Sequence, residues 1–364
     1  MSASFDIQSS TGPYSVTVDR GSFARLLQSF RNDAVIADAF FESKFVEAGA
    51  SALFVEALEE NKSLDASPAL IERMRKSGAN RSTHLVAVGG GIVQDLSAFI
   101  AAVYMRGLAW TYVPTTVLAM VDSCIGGKSS INVGPYKNLV GTFHSPQRVV
   151  IDPDVIATLP DEQRASGLIE AAKICFCRGE EAFAAHMSFQ PAVDMPTENL
   201  EALIVNSLHA KQWFIERDEF DRSERLLLNF GHTFGHAIEG ASHFAVAHGI
   251  GVGLGIECAI RFEQLRGVDY TNAPRVGRLQ SHLQQMIRAD ARVAAALVSI
   301  KIDDVLEKLV SDKKHGANDY ALILVAPDGR VELRRLPKSA DTLDTVRRAV
   351  ADTIVKFTDG PGTT

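Results

Sequence analysis

Residues 84–95 read HLVAVGGGIVQD, and this stretch decides the fold prediction. The apolar run His84–Val88 is rich in β-branched residues, and Gly89–Gly91 follows it directly. The pattern predicts a strand, a tight glycine turn and a helix that contains Asp95. Glycine lets backbone N–H groups approach a phosphate at a helix N-terminus. The stretch therefore indicates a nucleotide-binding turn or a tight structural turn, although it lacks the GxGxxG spacing of dinucleotide-binding turns.

Further strand-like and helix-like runs alternate on both sides of this stretch. The other predicted strands are Tyr14–Val18, Ala34–Ile36, Ala52–Val55, Trp110–Val113 and Val149–Ile151. The predicted helices between them are Phe23–Phe30, Pro68–Ser77 and Asp95–Tyr104. Such alternation is typical of an α/β domain with a parallel sheet, which we predict over residues 1–154.

The second part of the chain, residues 155–364, is predicted to be a mainly α-helical domain. Helical periodicity extends over Glu162–Cys177, Glu198–Arg217, Thr233–Glu239, Gly251–Gln264, Pro274–Met286 and Ile302–Ser311. Tyr320–Val325 and Val331–Leu333, joined through Asp328-Gly329, predict a β-hairpin. The tail Asp359–Thr364 is predicted to be frayed.

The composition is that of an ordinary globular protein. Hydrophobic residues make up 46% and charged residues 22%, which excludes a disordered chain or a disulfide-stapled miniprotein. The net charge of -7 shows no basic surplus for nucleic acid. The four cysteines form no C-x-x-C pair, the apolar stretch Ala245–Ile260 falls short of a membrane span, and the N-terminus carries no signal pattern. We therefore expect a cytoplasmic protein with a small-molecule substrate and neither a nucleic-acid nor a membrane partner.

A second glycine turn carries a lysine. Gly126-Gly127-Lys128 is preceded by Asp122 and followed by Lys137-Asn138. Polar groups and cations around glycines suit an anionic, hydroxylated ligand, but they are equally typical of solvated loop lysines.

Acidic and imidazole side chains recur at helical spacing in the second part. Glu170 and Lys173 share a helix face, where a surface ion pair is the simplest interpretation. His232 and His236 are four residues apart, a common zinc-chelating geometry, and His248 follows. We interpret the three histidines as a metal or catalytic site in preference to core histidines.

A nucleotide turn, a divalent metal and a set of cations together indicate a redox step on a phosphorylated, carboxylated substrate. These cations are Arg106, Lys128, Lys173, Lys211 and Arg225.

Several longer motifs resemble one family. Seven runs occur in order: GGGIVQDL, YMRG, VPTTVLAMVDSCIGGK, KNLVGTFHSP, TLPDEQRASGLIEAAK, RLLLNFGHTFGHAIE and AHG. From about Lys62 to Lys314 they resemble 3-dehydroquinate synthase and the wider sugar phosphate cyclases. The resemblance implies an N-terminal NAD-binding α/β domain and a C-terminal helical domain that binds metal and substrate, with the active site in the cleft between them.

The resemblance also implies roles for individual residues. Glu170, His232 and His248 would bind Zn²⁺ or Co²⁺, and His236 would face the substrate phosphate instead of chelating the metal. The residues that would line NAD are Lys62, Gly90, Gly91, Asp95, Thr115, Thr116, Asp122, Lys137 and Thr158. Those that would contact the substrate are Lys128, Asn138, Lys173, Lys211, Arg225, Asn229 and His236. Arg106 would reach the phosphate site of the partner subunit in a homodimer. Either Lys313 or Lys314 would enter the site.

The implied activity is a phosphate-eliminating lyase of the shikimate pathway. It converts 3-deoxy-D-arabino-heptulosonate 7-phosphate into 3-dehydroquinate and phosphate. The C5 hydroxyl is oxidised transiently by NAD⁺, phosphate is eliminated, the ketone is reduced again, and an intramolecular aldol reaction closes the carbocycle.

Departures from the family pattern keep other functions open. Ile250 stands where the family commonly has Glu, so a partner of the metal ligand His248 is expected to be missing. Gln94, the run Ser129–Asn132 and the run Ile174–Cys177 are also atypical. The alternatives are a 2-deoxy-scyllo-inosose synthase or sedoheptulose 7-phosphate cyclase, an iron-type alcohol dehydrogenase, and a non-catalytic NAD-binding remnant. The retained Arg225, suited to a carboxylate, favours dehydroquinate synthase.

Overall fold

The computed structural model describes residues 2–30, 33–134 and 136–358 of the 364-residue chain. It contains two compact units. The first comprises Met1–Leu159 and Leu200–Phe220, and the second comprises Pro160–Asn199 and Asp221–Thr364. The predicted domains, 1–154 and 155–364, differ from these units chiefly in the segment 200–220 and stay a prediction. The predicted frayed tail lies outside the described residues.

Eleven strands occur in the described part of the chain. They are β1 (Ala3–Ile7), β2 (Tyr14–Val18), β3 (Ala34–Asp38), β4 (Leu53–Val55), β5 (Leu85–Gly89), β6 (Trp110–Pro114), β7 (Lys128–Val133), β8 (Tyr136–Phe143), β9 (Arg148–Ile151), β10 (Asp319–Val325) and β11 (Val331–Pro337). The main sheet of the first unit has the order β1-β2-β9-β6-β5-β3-β4. All its pairings are parallel except β1 with β2, so the prediction of a parallel α/β sheet is confirmed. The antiparallel edge strand β1 was not predicted.

Thirteen α-helices are described. They are α1 (Ser22–Leu27), α2 (Glu42–Glu47), α3 (Ser67–Lys76), α4 (Gly91–Val103), α5 (Asp161–Arg178), α6 (Glu180–Ser188), α7 (Thr197–Arg217), α8 (His232–Ala241), α9 (His248–Leu265), α10 (Pro274–Arg288), α11 (Val293–Val298), α12 (Ile302–Val310) and α13 (Ala340–Thr358). The helical character predicted for the second part is confirmed. Helices α2, α6, α11 and α13 were not predicted. No helix among the described residues is both long and apolar enough to cross a membrane.

Apolar strand residues form the core of the first unit. Val35, Val88 and Val113, from three neighbouring strands, are buried together with Phe23 of α1 and Phe45 of α2. Burial of a side chain such as Phe45 stabilises the fold by about 1.5–3 kcal/mol. The strands therefore read as continuous apolar runs, and their carboxyl ends carry the polar groups described below.

A β-hairpin follows the predicted glycine turn at Gly126-Gly127. Strands β7 and β8 pair antiparallel, with Lys128 opposite Phe143 and Ser129 opposite Thr142. The sequence did not predict this hairpin because polar residues occupy both faces of its strands, so the hydrophobic alternation that indicates a strand is missing. Lys128 therefore lies on the first strand of this hairpin, and Asn138 lies on the second, opposite a register irregularity between Ile131 and Val133.

Close approach of three helices organises the second unit. A Cβ atom placed on Gly255 of α9 would lie 1.9 Å from the carbonyl oxygen of Gly231, just before α8. A Cβ atom on Gly249 would lie 2.1 Å from the carbonyl oxygen of Ser166 in α5. Only glycine allows backbone contact of this kind. The glycine-rich sequence of α9 therefore lets it pack against α8 and α5 at the residues that build the site.

Candidate active site

A buried carboxylate and a buried ammonium lie side by side on α5. Glu170 and Lys173 are both almost fully inaccessible to water, and the Lys173 ammonium contacts the Oε2 atom of Glu170. The interpretation of these residues as a surface ion pair was therefore wrong. The Oε1 atom of Glu170 has no hydrogen-bond partner among the described residues, and Oε2 has the Lys173 ammonium beside it. A buried oxygen without a hydrogen bond costs free energy unless another group, such as a cation, occupies its lone pairs.

Two imidazoles face this carboxylate. The Nε2 atom of His248 lies 3.6 Å from the Oε1 atom of Glu170, and the Nε2 atom of His232 lies 3.8 Å from it. Each histidine is the first residue of its helix, α9 for His248 and α8 for His232. A tetrahedral Zn²⁺ with ligand bonds of about 2.1 Å holds its ligand atoms roughly 3.4 Å apart. The three residues therefore fit a single divalent cation.

Hydrogen bonds at the Nδ1 atoms orient the rings of His248 and His232. The Nδ1 atom of His248 lies 3.1 Å from the Oε1 atom of Glu239, and the Nδ1 atom of His232 lies 3.3 Å from the carbonyl oxygen of Phe230. When Nδ1 carries the proton and donates it, Nε2 keeps the lone pair that a metal needs. The carboxylate behind His248 is therefore Glu239, and Ile250, which is buried, does not leave this ligand without a partner.

The charges around the imidazoles separate their pKa values. Burial lowers the pKa of His232 well below its usual value, and the charges of Lys173, His236, His248 and Lys314 lower it further. Burial also lowers the pKa of His248, but its hydrogen bond to Glu239 and the charge of Glu239 outweigh that effect, so the net shift is upward. His232 is therefore held neutral, as a metal ligand must be.

His236 stands beside the other two rings. Its ring centre lies 5.1 Å from that of His232 and 5.6 Å from that of His248. Ring nitrogens of all three histidines lie within 4.8 Å of one another. Partial burial and the charges of His248, Lys314 and Lys173 lower the pKa of His236 to about 3. The assignment of His236 to the phosphate instead of the metal stays a prediction.

Three further predicted site residues, Lys314, Arg225 and Asn229, belong to the same unit as the imidazoles. The charge of Lys314 lowers the pKa of both His232 and His236. Arg225 is buried, and the side-chain amide of Asn229 donates to the carbonyl oxygen of Leu226 at 3.1 Å. Both lie in the 3₁₀ segment Glu224–Asn229, immediately before α8.

The first unit contains the predicted nucleotide turn at the carboxyl end of β5. Helix α4 begins at Gly91, and no described side chain caps its first turn. A Cβ atom on Gly91 would meet nothing within 4 Å, whereas one on Gly90 would lie 2.9 Å from the Cγ2 atom of Thr116. The N–H of Thr115 donates to the carbonyl oxygen of Gly89 at 3.0 Å. The open N-terminus of α4 therefore fits a phosphate group.

Asp95 lies one turn further along α4. Its Oδ2 atom is 3.1 Å from the Nζ atom of Lys62, and its Oδ1 atom accepts the N–H of Ser130 at 3.2 Å. Burial raises the pKa of Asp95 to about 6, although the charge and hydrogen bond of Lys62 oppose the shift. Lys137 lies 3.7 Å from Glu59, which also contacts Lys62.

Asp122 and Lys211 form a second buried group in the first unit. The Nζ atom of Lys211 lies 2.6 Å from Oδ1 of Asp122, and it donates to the carbonyl oxygens of Asp122 and Ile125 at 2.6 and 3.1 Å. These contacts hold the end of α7 against the turn that precedes Lys128. The Lys128 ammonium lies 5.9 Å from the centre of the Phe143 ring.

Several predicted site residues are exposed, among them Lys137, Asn138, His236, Arg106 and Thr158. Arg106 is exposed in a turn where Met105, Arg106 and Gly107 all have positive φ angles, and Thr158 is exposed at the end of a 3₁₀ segment. Sequence reasoning missed Glu239 and Ser130. Glu239 could have been found because it follows His236 by three residues on the same helix face.

Two solved structures with this fold contain NAD⁺ and a divalent metal ion. A 2-deoxy-scyllo-inosose synthase, solved with carbaglucose-6-phosphate, NAD⁺ and Co²⁺, matches 96% of this chain and all of its own with a TM-score of 0.83 and 23% identity. The 2-epi-5-epi-valiolone synthase of Streptomyces hygroscopicus subsp. jinggangensis 5008, solved with NAD⁺ and Zn²⁺, matches 94% of this chain and 96% of its own with a TM-score of 0.71 and 20% identity. At these identities the likeness shows the fold alone.

Sequence comparison identifies the family. The model of the 3-dehydroquinate synthase N-terminal domain matches residues 52–166, and that of the C-terminal domain matches residues 167–315. The 3-dehydroquinate synthase of Enterococcus faecalis is 38% identical over 346 residues, covering 92% of this chain and 93% of that protein. The enzyme of Latilactobacillus sakei is 32% identical over 347 residues, covering 90% and 93%. The chain belongs to the 3-dehydroquinate synthase family.

Proposed function

We propose that the protein is a 3-dehydroquinate synthase, a lyase that forms 3-dehydroquinate and phosphate from 3-deoxy-D-arabino-heptulosonate 7-phosphate. The observation that carries the proposal is the grouping of a buried carboxylate with three imidazoles on helices that the family model covers. The identity to dehydroquinate synthases, 32–38% over most of the chain, supports this activity over those of the structural neighbours at 20–23%.

Glu170, His232 and His248 would hold the divalent cation. When bound, the cation lowers the pKa of the hydroxyl groups that coordinate it, and NAD⁺ accepts and returns a hydride. Glu239 orients His248 through its hydrogen bond. The ammonium of Lys173 neutralises the charge of Glu170, so the buried carboxylate is stable in the folded protein before a cation binds.

The nucleotide would lie at the N-terminus of α4. The backbone N–H groups that follow Gly90 and Gly91 suit its phosphates, and the carboxylate of Asp95 suits ribose hydroxyls. Lys62 keeps Asp95 ionised at neutral pH. The remaining predicted contacts of the nucleotide are Thr115, Thr116, Asp122, Lys137 and Thr158.

The substrate would be held by cations and amides. Arg225 can form a bidentate pair with its carboxylate. His236, neutral at pH 7, can donate one N–H to the phosphate, together with Asn229 and Lys128. These contacts fix the substrate while the C6 proton is removed and the C7 phosphate leaves. The further predicted contacts are Asn138, Lys173 and Lys211.

The fold also supports a second candidate, another sugar phosphate cyclase. The structure of 2-deoxy-scyllo-inosose synthase matches this chain with a TM-score of 0.83. That structure contains a carba-analogue of glucose 6-phosphate, a ligand that lacks a carboxylate. Arg225 favours dehydroquinate synthase because its planar guanidinium suits a bidentate pair with a carboxylate. Net dehydrogenation is the activity of more distant neighbours, such as a probable glycerol dehydrogenase with a TM-score of 0.64.

The proposal extends to assembly, domains and location. The enzyme would be a homodimer in which the exposed Arg106 reaches the partner's phosphate site. An NAD-binding domain would span residues 1–154, and a helical metal- and substrate-binding domain would span residues 155–364. The four free cysteines support a reducing, cytoplasmic location.

Phosphate release from three sugar phosphates tests the proposed function. The purified protein, loaded with Zn²⁺ and NAD⁺, is expected to release phosphate from 3-deoxy-D-arabino-heptulosonate 7-phosphate, with a product that a dehydroquinase consumes. Sedoheptulose 7-phosphate and glucose 6-phosphate, which lack the carboxylate, should react at least about a hundredfold less efficiently, because a lost charge-assisted contact costs about 3 kcal/mol. A preference for either of these substrates would replace the proposal with the second candidate.

The affinity for NAD⁺ is expected to depend on Asp95 ionisation. Its pKa is raised to about 6, so the carboxylate that accepts ribose hydrogen bonds becomes protonated as pH falls through 6. The dissociation constant of NAD⁺, measured by calorimetry, should therefore rise about tenfold between pH 7.5 and pH 5. Asp95→Asn should bind NAD⁺ weakly at both pH values. A variant that keeps the wild-type pH profile would assign the dependence to another group.

A further inference from the structure

Four residues of the first unit form a closed ring of hydrogen bonds, to which Ser130 contributes both its hydroxyl and its backbone N–H. The Nζ atom of Lys62 lies 3.1 Å from Oδ2 of Asp95 and donates to Oδ1 of Asn138 at 2.8 Å. The hydroxyl of Ser130 donates to the same Oδ1 atom of Asn138 at 3.0 Å. The backbone N–H of Ser130 donates to Oδ1 of Asp95 at 3.2 Å, which closes the ring. The ring therefore joins two groups predicted to bind the nucleotide with one predicted to bind the substrate.

The ring fixes which way the Asn138 amide faces. A lysine ammonium can only donate hydrogen bonds, so the amide must turn its oxygen toward Lys62. The hydroxyl of Ser130 takes the second lone pair of that oxygen. The amide NH₂ group then points away from the ring, and it donates to no acceptor among the described residues. Asn138 thus presents two donors and no acceptor on its open side.

The backbone conformation of Asn138 is also fixed by hydrogen bonds. Its φ angle is 53°, in the left-handed region, and its N–H donates to Oδ1 of Asn132 at 2.9 Å. Asn132 is buried and also donates to Glu59, in the segment just before Lys62. A left-handed conformation at a non-glycine residue costs free energy and persists where surrounding contacts enforce it. The neighbouring residues of β7 therefore orient both the main chain and the side chain of Asn138.

We propose that Ser130 is a positioning residue, which, with Lys62, locks the Asn138 amide so that it donates hydrogen bonds to an acceptor oxygen of the sugar phosphate. The proposal rests on the proposed function, because it concerns the substrate of that same site. It assigns a role to one of the atypical residues that follow Lys128. A site built in this way selects for phosphate, carboxylate or hydroxyl oxygens at Asn138 and excludes a group that can only donate.

Steady-state kinetics of two serine variants tests the proposal. Ser130→Ala should raise KM for the sugar phosphate about five- to tenfold, which corresponds to one lost hydrogen bond, and should leave kcat within twofold. Ser130→Thr keeps the hydroxyl and should restore KM. The matched control is Ser129→Ala, which removes an equivalent hydroxyl contact, 2.8 Å to Thr142, on the same strand but outside the ring. Its KM should equal that of the wild type.

A variant of Asn138 itself tests whether its amide donates to the substrate. Asn138→Asp keeps an acceptor for Lys62 and Ser130 but cannot donate, so KM should rise more than about a hundredfold, since a charged oxygen would then face a substrate oxygen. An unchanged KM in Ser130→Ala, or an equal rise in Ser129→Ala, would overturn the proposal. The assays use whichever of the three sugar phosphates the wild type converts. Failure of the proposed function therefore appears in the wild type, and failure of this inference appears only in the variants.

Discussion

His248→Ala is expected to lose more than about a hundredfold in zinc affinity, and its turnover should fall below detection. Loss of a partner behind a metal ligand typically costs 10- to 100-fold in affinity, and loss of the ligand itself costs more. The remaining pair, Glu170 and His232, leaves the cation with two protein ligands instead of three. Zinc content of the purified protein, measured by atomic emission beside phosphate release, provides the test.

Two further variants make this prediction specific. Glu239→Gln keeps an acceptor for the Nδ1 proton of His248 but removes the charge, so zinc affinity should fall only about tenfold. His236→Ala should keep its zinc and lose phosphate binding if His236 faces the substrate. Full zinc occupancy in His248→Ala would mean that His232 and His236 form the chelate that their spacing first suggested.

Gly255→Ala is expected to destabilise the second unit severely. The added methyl group would lie 1.9 Å from the carbonyl oxygen of Gly231 and 2.6 Å from the N–H nitrogen of Gly235. Both atoms belong to the backbone, so no side-chain rotation relieves the overlap. We expect the free energy of unfolding to fall by about 3 kcal/mol or more and Tm to fall by about 6–12 °C. Helices α8 and α9 would separate, and zinc affinity would fall with stability.

The matched control is another helical glycine. A Cβ atom on Gly277 of α10 would meet nothing within 4 Å. Alanine is favoured over glycine within a helix by about 0.8–1.0 kcal/mol, so Gly277→Ala should be as stable as the wild type or more stable. Thermal unfolding of the two variants side by side decides the matter. A Gly255→Ala protein with the wild-type Tm would show that contact between α8 and α9 does not hold the site together.

The main elements of the fold could be predicted because their patterns are local. Strands such as Leu85–Gly89 are continuous apolar runs, and helices such as Asp161–Arg178 carry clear periodicity. The hairpin of β7 and β8 could not be predicted in the same way, since its polar residues are stabilised by contacts with distant segments. Asn132, for example, bonds to Glu59, 73 residues away.

The site could be predicted as a set of residues but not as an arrangement. The spacing of His232 and His236 indicated a metal site, yet the burial of Glu170 depends on packing among three helices that no local pattern reveals. Glu239 illustrates the same limit: the departure at Ile250 suggested that His248 lacks a partner, whereas the fold supplies one from a different helix.

Counting phosphate and NADH in one reaction tests the central claim most directly. The zinc-loaded protein is mixed with one equivalent of NAD⁺ and a large excess of 3-deoxy-D-arabino-heptulosonate 7-phosphate, and absorbance at about 340 nm is followed beside phosphate release. A cyclase that returns each hydride should release many phosphates per NAD⁺ while NADH stays below one equivalent. Accumulation of NADH to one equivalent, with phosphate release stopping at the same amount, would contradict the account and indicate a dehydrogenase.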